Sequence, residues 1–337
     1  MDLIICLKTS NRKRFSQLLY KQQSNYTKLF QNRISKLHIN IAIINTSNPT
    51  PKFVFRPKPS FRTELERKRW WGKERETWID GDGDGAARIS GMHKFYLTQC
   101  FIKSGTGGAY IRPRYRDCDE WIIEPIHDSF WNCKGAIGLL KRRELGATSI
   151  GSGLLPMYSM RMFKGSTFGM TSCDQPRISK AFSDKTTVCL SEMDKDIAPV
   201  IERKNETKNS TYLKLAWKTE REGNEVIQYS DFYSKETADN DNAAKGFSGT
   251  RMRAAYFDEF PLHRRKQKLL SSSLPCFMEG PTQTGFLFWS GTVEEGITNE
   301  QIYELQKLVN DAELLNTKII FAPCWWGLIM NEAGESD

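Results

Sequence analysis

The chain has 337 residues, of which 39% are hydrophobic and 26% are charged, so it is long enough for one large globular domain or two modest ones. Its 49 Lys and Arg residues outnumber its 40 Asp and Glu residues, and the net charge of +9 favours a polyanionic partner. The sequence shows no apolar stretch of the roughly 18 residues that a membrane span needs, and no C-x-x-C pair among its eight cysteines. These features argue against a membrane protein, a zinc site and a secreted disulfide framework, and we expect a cytosolic protein.

The amino-terminal part predicts an extension followed by a charged helix. Residues 1–58 mix basic residues with Asn, Gln and Ser and end in the proline-rich stretch NPTPKFVFRPKP, which predicts a basic extension with little fixed structure. Over residues 61–79, helical spacing and dense opposite charges predict a helix that carries Trp70 and Trp71 and ends at Gly81.

The loop after this helix repeats Asp and Gly and matches the opening of a calcium-binding EF-hand loop, with Asp80, Asp82 and Asp84 in ligand positions. The twelfth position is Gly91, where that loop needs a bidentate Glu. A flexible loop is therefore the favoured interpretation, and whether the three aspartates bind an ion is left open.

Beyond this loop, short apolar runs alternate with helical segments, which is typical of an α/β protein with a mainly parallel central sheet. The candidate buried strands are GAIGLL (135–140), STFGMT (166–171), RAAYF (253–257), GFLFWS (285–290) and KIIFAP (318–323). Between the second and third strands, TYLKLAWK and EVIQYSDF flank a turn at Gly223-Asn224 and predict a hairpin. A helix is predicted over residues 299–315, with Thr298 and Gln301 as its capping box.

The run KRRELGATS, residues 141–149, follows the first strand and has parts of a phosphate-binding loop. Such a loop needs a glycine turn, a cation, and a hydroxyl for Mg²⁺ at the start of the next helix. Gly146 and Thr148 supply the turn and the hydroxyl, whereas Ala147 stands where a Lys usually follows the last Gly. Three cations stand at the front of the loop instead, where a long side chain can fold back towards the phosphates: Lys141, Arg142 and Arg143. The next helix contains Gly151, Gly153 and Pro156, which predict that it is short or kinked.

Two later strands end in further motifs. RAAYF leads into Asp258-Glu259, which fits a Walker B site, where Asp holds the water shell of Mg²⁺ and Glu polarises the attacking water. GFLFW leads into Ser290, Gly291 and Thr292, a motif of small and hydroxyl side chains. Taken alone, the first motif also fits the exposed end of a strand, and the second fits any junction of strand and turn.

An aromatic-rich region precedes the loop, in FYLTQCFI (95–102) and YIRPRYRDCDEW (110–121). Together with the three motifs above, in this order, it resembles the large terminase subunits of tailed bacteriophages, which package viral DNA. The segments K-x-R-x-x-G-x-T, ERKRWW, YFDEFP and GTVEEG carry the resemblance, which covers roughly residues 61–326 and is nearest to phages with large genomes.

The resemblance implies a three-layer, RecA-like P-loop ATPase fold of the ASCE class, with a mainly parallel central sheet and a helical lead segment. The implied units are an extension (1–58), a lead segment with an adenine motif (59–130), an ATPase core (131–326) and the start of a linker to a nuclease domain (327–337). Because few residues follow Thr292, we expect no endonuclease activity from this polypeptide.

The resemblance also assigns roles in a site for ATP and Mg²⁺. The residues implied to bind the nucleotide are Lys141, Arg142, Arg143, Gly146, Ala147, Thr148, Ser149 and, at the adenine base, Gln99. Thr148 and Asp258 are expected to hold Mg²⁺, Glu259 with Lys141 or Arg143 to catalyse hydrolysis, and Ser290, Gly291 and Thr292 to sense the γ-phosphate and couple hydrolysis to movement. For Gln99 and its aromatic neighbours, packing in a lid is an equally good interpretation.

The implied partners are double-stranded DNA, bound without sequence preference, the portal protein and the small terminase subunit, in a homo-oligomeric ring on the procapsid in the host cytoplasm. Arg251 and Arg253 are candidates for an arginine given to the neighbouring subunit, and the basic run RRKQK (264–268) is a candidate for DNA phosphates. Two alternatives stay open: a fragment of a superfamily-2 helicase or translocase, and a basic DNA-binding protein with a degenerate nucleotide fold.

Overall fold

The computed structural model describes residues 52–85, 88–104, 108–207, 210–236, 247, 249–263, 265–292, 299–310, 312 and 316–322. Most of the predicted extension, the capping residue Thr298, Arg264 of the basic run and residues 323–337 lie outside these ranges. Within them, no helix combines the length and apolar character needed to cross a bilayer.

Seven helices, some of composite character, are found in these ranges. They are α1 (Glu64–Asp80), α2 (Gly91–Gln99), α3 (Asp117–Asn132), α4 (147–162), α5 (175–192), α6 (Lys266–Ser273) and α7 (Asn299–Asn310). Short 3₁₀ turns lie at Phe260–Leu262 and Leu274–Phe277. The predicted lead helix is confirmed: the Thr63 side chain accepts a hydrogen bond from the Glu66 amide at its start, and Gly81, with φ of 96°, follows its last residue.

The strands of the described ranges form one large sheet and two short hairpins. They are β1 (Ile102–Lys103), β2 (Tyr110–Ile111), β3 (Ala136–Lys141), β4 (Thr167–Ser172), β5 (Val200–Thr207), β6 (Ser210–Arg221), β7 (Asn224–Glu236), β8 (Ala254–Asp258), β9 (Met278–Glu279), β10 (Thr282–Gln283), β11 (Phe286–Thr292) and β12 (Thr317–Phe321). The hairpins are β1 with β2 and β9 with β10. All five predicted buried strands are confirmed within one or two residues of their bounds.

Eight strands make up the main sheet, in the order β12–β3–β11–β8–β4–β7–β6–β5. The strands from β12 to β7 are parallel to their neighbours, and β6 and β5 continue the sheet in antiparallel fashion. The predicted mainly parallel sheet is therefore present, with an antiparallel extension at one side.

The central strands bury both faces, which makes the protein three-layered. In β8, Ala254 and Tyr256 pack into the core beneath α2, α3 and α4, whereas Ala255 and Phe257 pack on the opposite face with α6 and α7. The strand β11 alternates in the same way between the two cores. Because successive side chains point to opposite faces, a strand buried on both sides appears in the sequence as an unbroken apolar run.

The helix α4 is neither short nor sharply broken, which corrects the expectation from its glycines. It runs from Ala147–Ser149 through a π-helical turn at Ile150–Leu154 into Leu155–Met162. At Gly151, a Cβ atom would lie 2.3 Å from the ring of Tyr256, so the glycine lets the helix pack directly on β8. The glycines therefore serve close packing, and the wide turn accommodates them.

The predicted hairpin is confirmed as β6 and β7, and β5 extends it into a three-stranded meander that the sequence did not predict. The two residues at its tip are Glu222 and Gly223, with φ of 53° and 80°. Positive φ at both positions is the signature of a type I′ turn, so the turn lies one residue before the predicted Gly223-Asn224 pair.

Candidate nucleotide site

Three parallel strands end at one place on the sheet and bring the predicted motifs together. Thr292 of β11 pairs with Lys141 of β3, and Ser172 of β4 pairs with Asp258 of β8. Since β11 lies between β3 and β8, the loop after Lys141, the pair Asp258-Glu259 and the motif ending in Thr292 meet at the carboxyl-terminal edge. Ligands of open α/β sheets bind at this edge.

The loop after β3 turns into α4 through two residues with positive φ, Glu144 at 65° and Gly146 at 91°. The helix begins at Ala147, directly after Gly146, so its amino terminus lies at this edge of the sheet. A helix start of this kind attracts phosphate groups through its dipole and its unpaired N–H donors.

Lys141, the first of the three cations at the front of the loop, reaches the Glu259 carboxylate. Its side chain is 6% exposed, and its Nζ lies 3.7 Å from Glu259 Oε1 and donates to Thr292 Oγ1 at 3.2 Å. Arg142 donates to the carbonyl of Arg143 at 3.0 Å, and Arg143 is exposed. The geometry therefore separates Lys141 from its two neighbours.

Asp258 is a buried carboxylate held by two hydroxyl groups. The Tyr256 hydroxyl donates to Asp258 Oδ1 at 2.6 Å and lies 2.7 Å from Ser290 Oγ, while Thr148 Oγ1 lies 3.3 Å from the same Asp258 oxygen. Burial raises the pKa of Asp258, against the lowering effect of the Tyr256 hydrogen bond. Burial likewise raises the pKa of Tyr256, so its hydroxyl stays protonated and remains a donor.

Glu259 has an unusual backbone conformation that turns its carboxylate back towards the loop. Its φ is 47° and its ψ is 41°, in the left-handed region, which costs a residue with a side chain about 1 kcal/mol. Its Oε2 accepts a hydrogen bond from the Thr292 amide at 3.1 Å. Strain of this kind persists where surrounding contacts impose it, and it concentrates at functional sites.

Gly291 permits this arrangement. A Cβ atom at Gly291 would lie 2.1 Å from Cδ of Pro261, in the 3₁₀ turn that follows Glu259. The motif Ser290 to Thr292 therefore needs its central glycine so that the turn after Glu259 can pack on β11.

Two residues that support the site were not predicted from the sequence. Arg116 donates to Asp119 and to the Leu145 carbonyl, the latter at 3.2 Å, and its guanidinium lies 2.8 Å from where a Cβ of Gly146 would stand. His263 Nε2 lies 3.4 Å from the Asp258 carbonyl, and burial lowers the pKa of His263 to about 4, so the ring is neutral near pH 7. Arg116 lies within the aromatic-rich region 110–121 and His263 follows the motif YFDEFP, and only their contacts in the fold reveal that they support the site.

Gln99 is the last residue of α2, a helix whose nine residues are all buried. Its Oε1 is shielded from solvent and has no hydrogen-bond partner among the described residues. Next to it, Arg112 donates to the Thr98 carbonyl and lies between the rings of Phe55 and Phe101, at 4.6 and 4.7 Å. No hydrogen bond between described residues joins Gln99 to the cluster around Lys141, so its role as the reader of adenine stays a prediction.

Arg253 is a structural residue, which corrects its candidacy for an arginine offered to a neighbouring subunit. Its guanidinium donates to the carbonyls of Thr284 and Phe130 and lies 3.8 Å from the ring centroid of Phe163. Arg251 is 72% exposed and pairs with Glu279 at 2.7 Å, so it keeps its candidacy as a prediction.

The structure also places one lysine of the basic run and two aspartates of the Asp/Gly loop. Lys266 is fully buried and donates to the His263 carbonyl at 2.7 Å, so this member of RRKQK is not available to DNA. Asp80 is the last residue of α1, and Asp82 forms an isolated bridge with Ile89. Among the described residues, no group of three or more His, Cys, Asp or Glu side chains is arranged to hold a metal ion.

The solved structures that resemble this chain include proteins of viral DNA packaging. No protein-family model and no curated protein matches the chain. Among solved structures, the chain is similar to the large terminase of a thermophilic bacteriophage in complex with ATP-gamma-S, with 15% identity, a TM-score of 0.40, and coverage of 60% of this chain and 43% of that one. It is also similar to the bacteriophage HK97 large terminase, with 12% identity, a TM-score of 0.46, and coverage of 68% and 43%.

A third similar structure is the Phi-28 gp11 DNA packaging motor, with 9% identity, a TM-score of 0.32, and coverage of 56% of this chain and 57% of that one. The chain thus spans less than half the length of the two large terminases described above.

The strand order of the main sheet defines the class of protein to which this fold belongs. With β3, β4, β8, β11 and β12 counted as strands 1 to 5, the order 5-1-4-3-2 makes it an α/β protein with a RecA-like sheet.

Proposed function

We propose that this chain is an ATP-hydrolysing motor of the large terminase kind, which moves double-stranded viral DNA into a procapsid. The observation that carries the proposal is the convergence of Lys141, Asp258, Glu259 and Thr292 at one edge of the sheet, beside the glycine turn at Gly146. Hydrolysis of a nucleoside triphosphate needs a cation, two carboxylates in different environments and a helix start that binds phosphate.

The side chains fit a magnesium ion delivered with ATP. Thr148 Oγ1 and Asp258 Oδ1 are 3.3 Å apart, and a hydroxyl beside a carboxylate is the oxygen pair that such an ion uses in P-loop proteins. Asp258 is buried, and a nearby cation would favour its ionised form. When bound, the ion would neutralise charge on the β- and γ-phosphates; Thr148 and Asp258 are the residues proposed to hold it.

The position of Glu259 suggests how hydrolysis is controlled. Its carboxylate can polarise a water molecule for attack on the γ-phosphate. In this structure, that carboxylate accepts the Thr292 amide hydrogen bond and faces Lys141. We propose that Lys141 moves to the phosphates when ATP binds, which releases Glu259 for the water and makes β11 the element that senses the change.

The proposed substrate and partners rest on the order of the motifs along the chain and on its charge. The similar structures include terminases and a DNA packaging motor, and the net charge of +9 suits a polyanionic partner. We propose that the chain binds duplex DNA and acts in a ring with the portal protein and the small terminase subunit. The proposed place of action is the host cytoplasm.

The experiment is a steady-state ATPase assay with Mg²⁺ that compares the wild type with Glu259→Gln. The amide keeps the size of the side chain but cannot polarise water as a base, so we expect kcat to fall by about 10²- to 10⁴-fold. Glu225→Gln is the matched control, because Glu225 is 63% exposed on the hairpin and pairs with Lys218.

Equal rates for the wild type and Glu259→Gln would contradict the proposal and would favour a degenerate nucleotide fold. Hydrolysis that depends on Glu259 but unwinds duplex DNA, measured by strand displacement, would favour a helicase over a packaging motor.

A further inference from the structure

Three cations gather near the amino-terminal edge of the sheet, away from the nucleotide site. They are Arg75 in α1, Arg161 in the last turn of α4, and Lys164 in the turn before β4. The two helices are joined where the Tyr158 hydroxyl donates to the Trp78 carbonyl at 2.6 Å. Arg75 lies about one turn before Trp78 and Arg161 about one turn after Tyr158. The three charges are near enough to interact, since Arg75 acts electrostatically on Arg161 and both act on Lys164.

Arg75 stands out in the pattern of its helix. Trp71 and Trp78 are buried, and Arg75 is placed four residues after the first and three before the second. Positions with this spacing share one face of a helix, which here packs on the body of the protein. A cation in this stripe is therefore held beside the core while its side chain keeps access to solvent.

None of the three cations has a carboxylate partner among the described residues. Arg161 Nε is shielded from solvent and has no hydrogen-bond partner there, and Lys164 Nζ donates to the Lys218 carbonyl at 2.8 Å. Burial, reinforced by the neighbouring cations, lowers the pKa of Arg161 to about 10 and that of Lys164 to about 8. Buried charge without a counter-ion is costly, so an anion from outside the chain would stabilise this cluster.

We infer that Arg75, Arg161 and Lys164 form a phosphate-binding site that contacts the backbone of duplex DNA. Guanidinium groups bind phosphate oxygens through paired N–H donors, and Lys adds a point charge. Arg75 and Gly165 are exposed, so the cluster opens to solvent at the turn before β4. The choice of DNA as the source of the phosphate rests on the proposed function; a free phosphate ion offers the same chemistry.

The test measures binding of a fluorescent 30-base-pair duplex over a range of salt concentrations, for the wild type, Lys164→Gln and Lys164→Arg. Loss of one phosphate contact should weaken binding roughly threefold and lower the log–log salt slope by about one, whereas Lys164→Arg should retain both. Lys204→Gln is the control, because Lys204 is exposed and already paired with Glu206 at 2.8 Å. Urea unfolding of each variant checks that the fold is kept.

A second arm uses inorganic phosphate and follows the thermal midpoint of the wild type and Lys164→Gln. If phosphate stabilises only the wild type while both bind DNA equally, the cluster is a site for free phosphate and the inference about DNA is overturned. Unchanged DNA binding and unchanged response to phosphate also overturn it. ATP hydrolysis is measured in parallel: an inactive wild type that still loses DNA affinity through Lys164→Gln would contradict the proposed ATPase and leave the DNA contact standing.

Discussion

The two edges of the central sheet differ in how their charged side chains are paired. At the carboxyl-terminal edge, the Lys141 ammonium lies beside the Glu259 carboxylate, and Asp258 is held by hydroxyl donors. Near the amino-terminal edge, Arg161 and Lys164 are partly buried together without a carboxylate partner among the described residues.

This difference in pairing indicates which kind of ligand each edge suits. A balanced set of charges can rearrange when a nucleotide arrives, since Lys141 can exchange one anion for another at little cost. An unbalanced set gains stability when an anion binds from outside the chain. The carboxyl-terminal edge thus suits the proposed hydrolysis of ATP, and the amino-terminal edge suits the proposed binding of DNA.

The largest expected effect on stability lies at the amino-terminal edge, in Arg253→Ala. This change leaves the carbonyls of Thr284 and Phe130 without their donor and removes the guanidinium from the ring of Phe163, so we expect the free energy of unfolding to fall by about 2–4 kcal/mol. Urea denaturation measures it.

Arg251→Ala is the matched control, because Arg251 forms an exposed ion pair with Glu279, and its loss should cost less than about 0.5 kcal/mol. If Arg253→Ala unfolds at the same urea concentration as the wild type, Arg253 is not the structural residue described above, and its role towards a neighbouring subunit must be reconsidered.

A smaller effect of opposite sign is expected at the carboxyl-terminal edge, in Asp258→Asn. Because burial raises the pKa of Asp258 in the folded state, ionisation of this carboxyl opposes folding. The amide keeps an acceptor for the Tyr256 hydroxyl and carries no charge. We therefore expect the unliganded variant to be at least as stable as the wild type at pH 7, while it loses ATP hydrolysis.

The stability advantage of Asp258→Asn should depend on pH. A carboxyl whose pKa is raised in the folded state gives its full stability below its ordinary range, and stability is lost as pH rises through the folded value. The advantage of the variant, measured by urea denaturation, should therefore grow as pH rises from about 4 to about 7. An advantage that shrinks over this range would contradict the raised pKa.

The sequence predicts the strands and two of the motifs because their signals are local. The apolar runs 253–257 and 285–290 are long enough to cross a sheet buried on both faces, and each leads directly into polar residues. Since parallel strands end at one edge, the meeting of Glu259 with Thr292 follows from strand order alone, once that order is known.

The remaining features depend on contacts between distant parts of the chain. Lys141 is distinguished from Arg143 by the register that pairs it with Thr292, a relation between distant strands that no local pattern encodes. Arg253 looks in sequence like a cation at the exposed start of a strand, yet carbonyl and ring contacts enclose it. The position of Arg75 on the same helix face as Trp71 and Trp78 can be read from the sequence. Its closeness to Arg161 and Lys164 cannot, because it depends on how the helices pack.

We propose that Lys141, at the front of the loop, supplies the cation that Ala147 cannot. The most direct measurement is the rate of ATP hydrolysis by Lys141→Ala beside Arg143→Ala, at saturating Mg²⁺-ATP. Loss of a charge aimed at the phosphates should lower kcat by about 10²-fold or more for Lys141→Ala, and Arg143→Ala should keep most of the activity. An Arg143→Ala variant that loses as much activity as Lys141→Ala, or a Lys141→Ala variant that loses none, would contradict this role of Lys141.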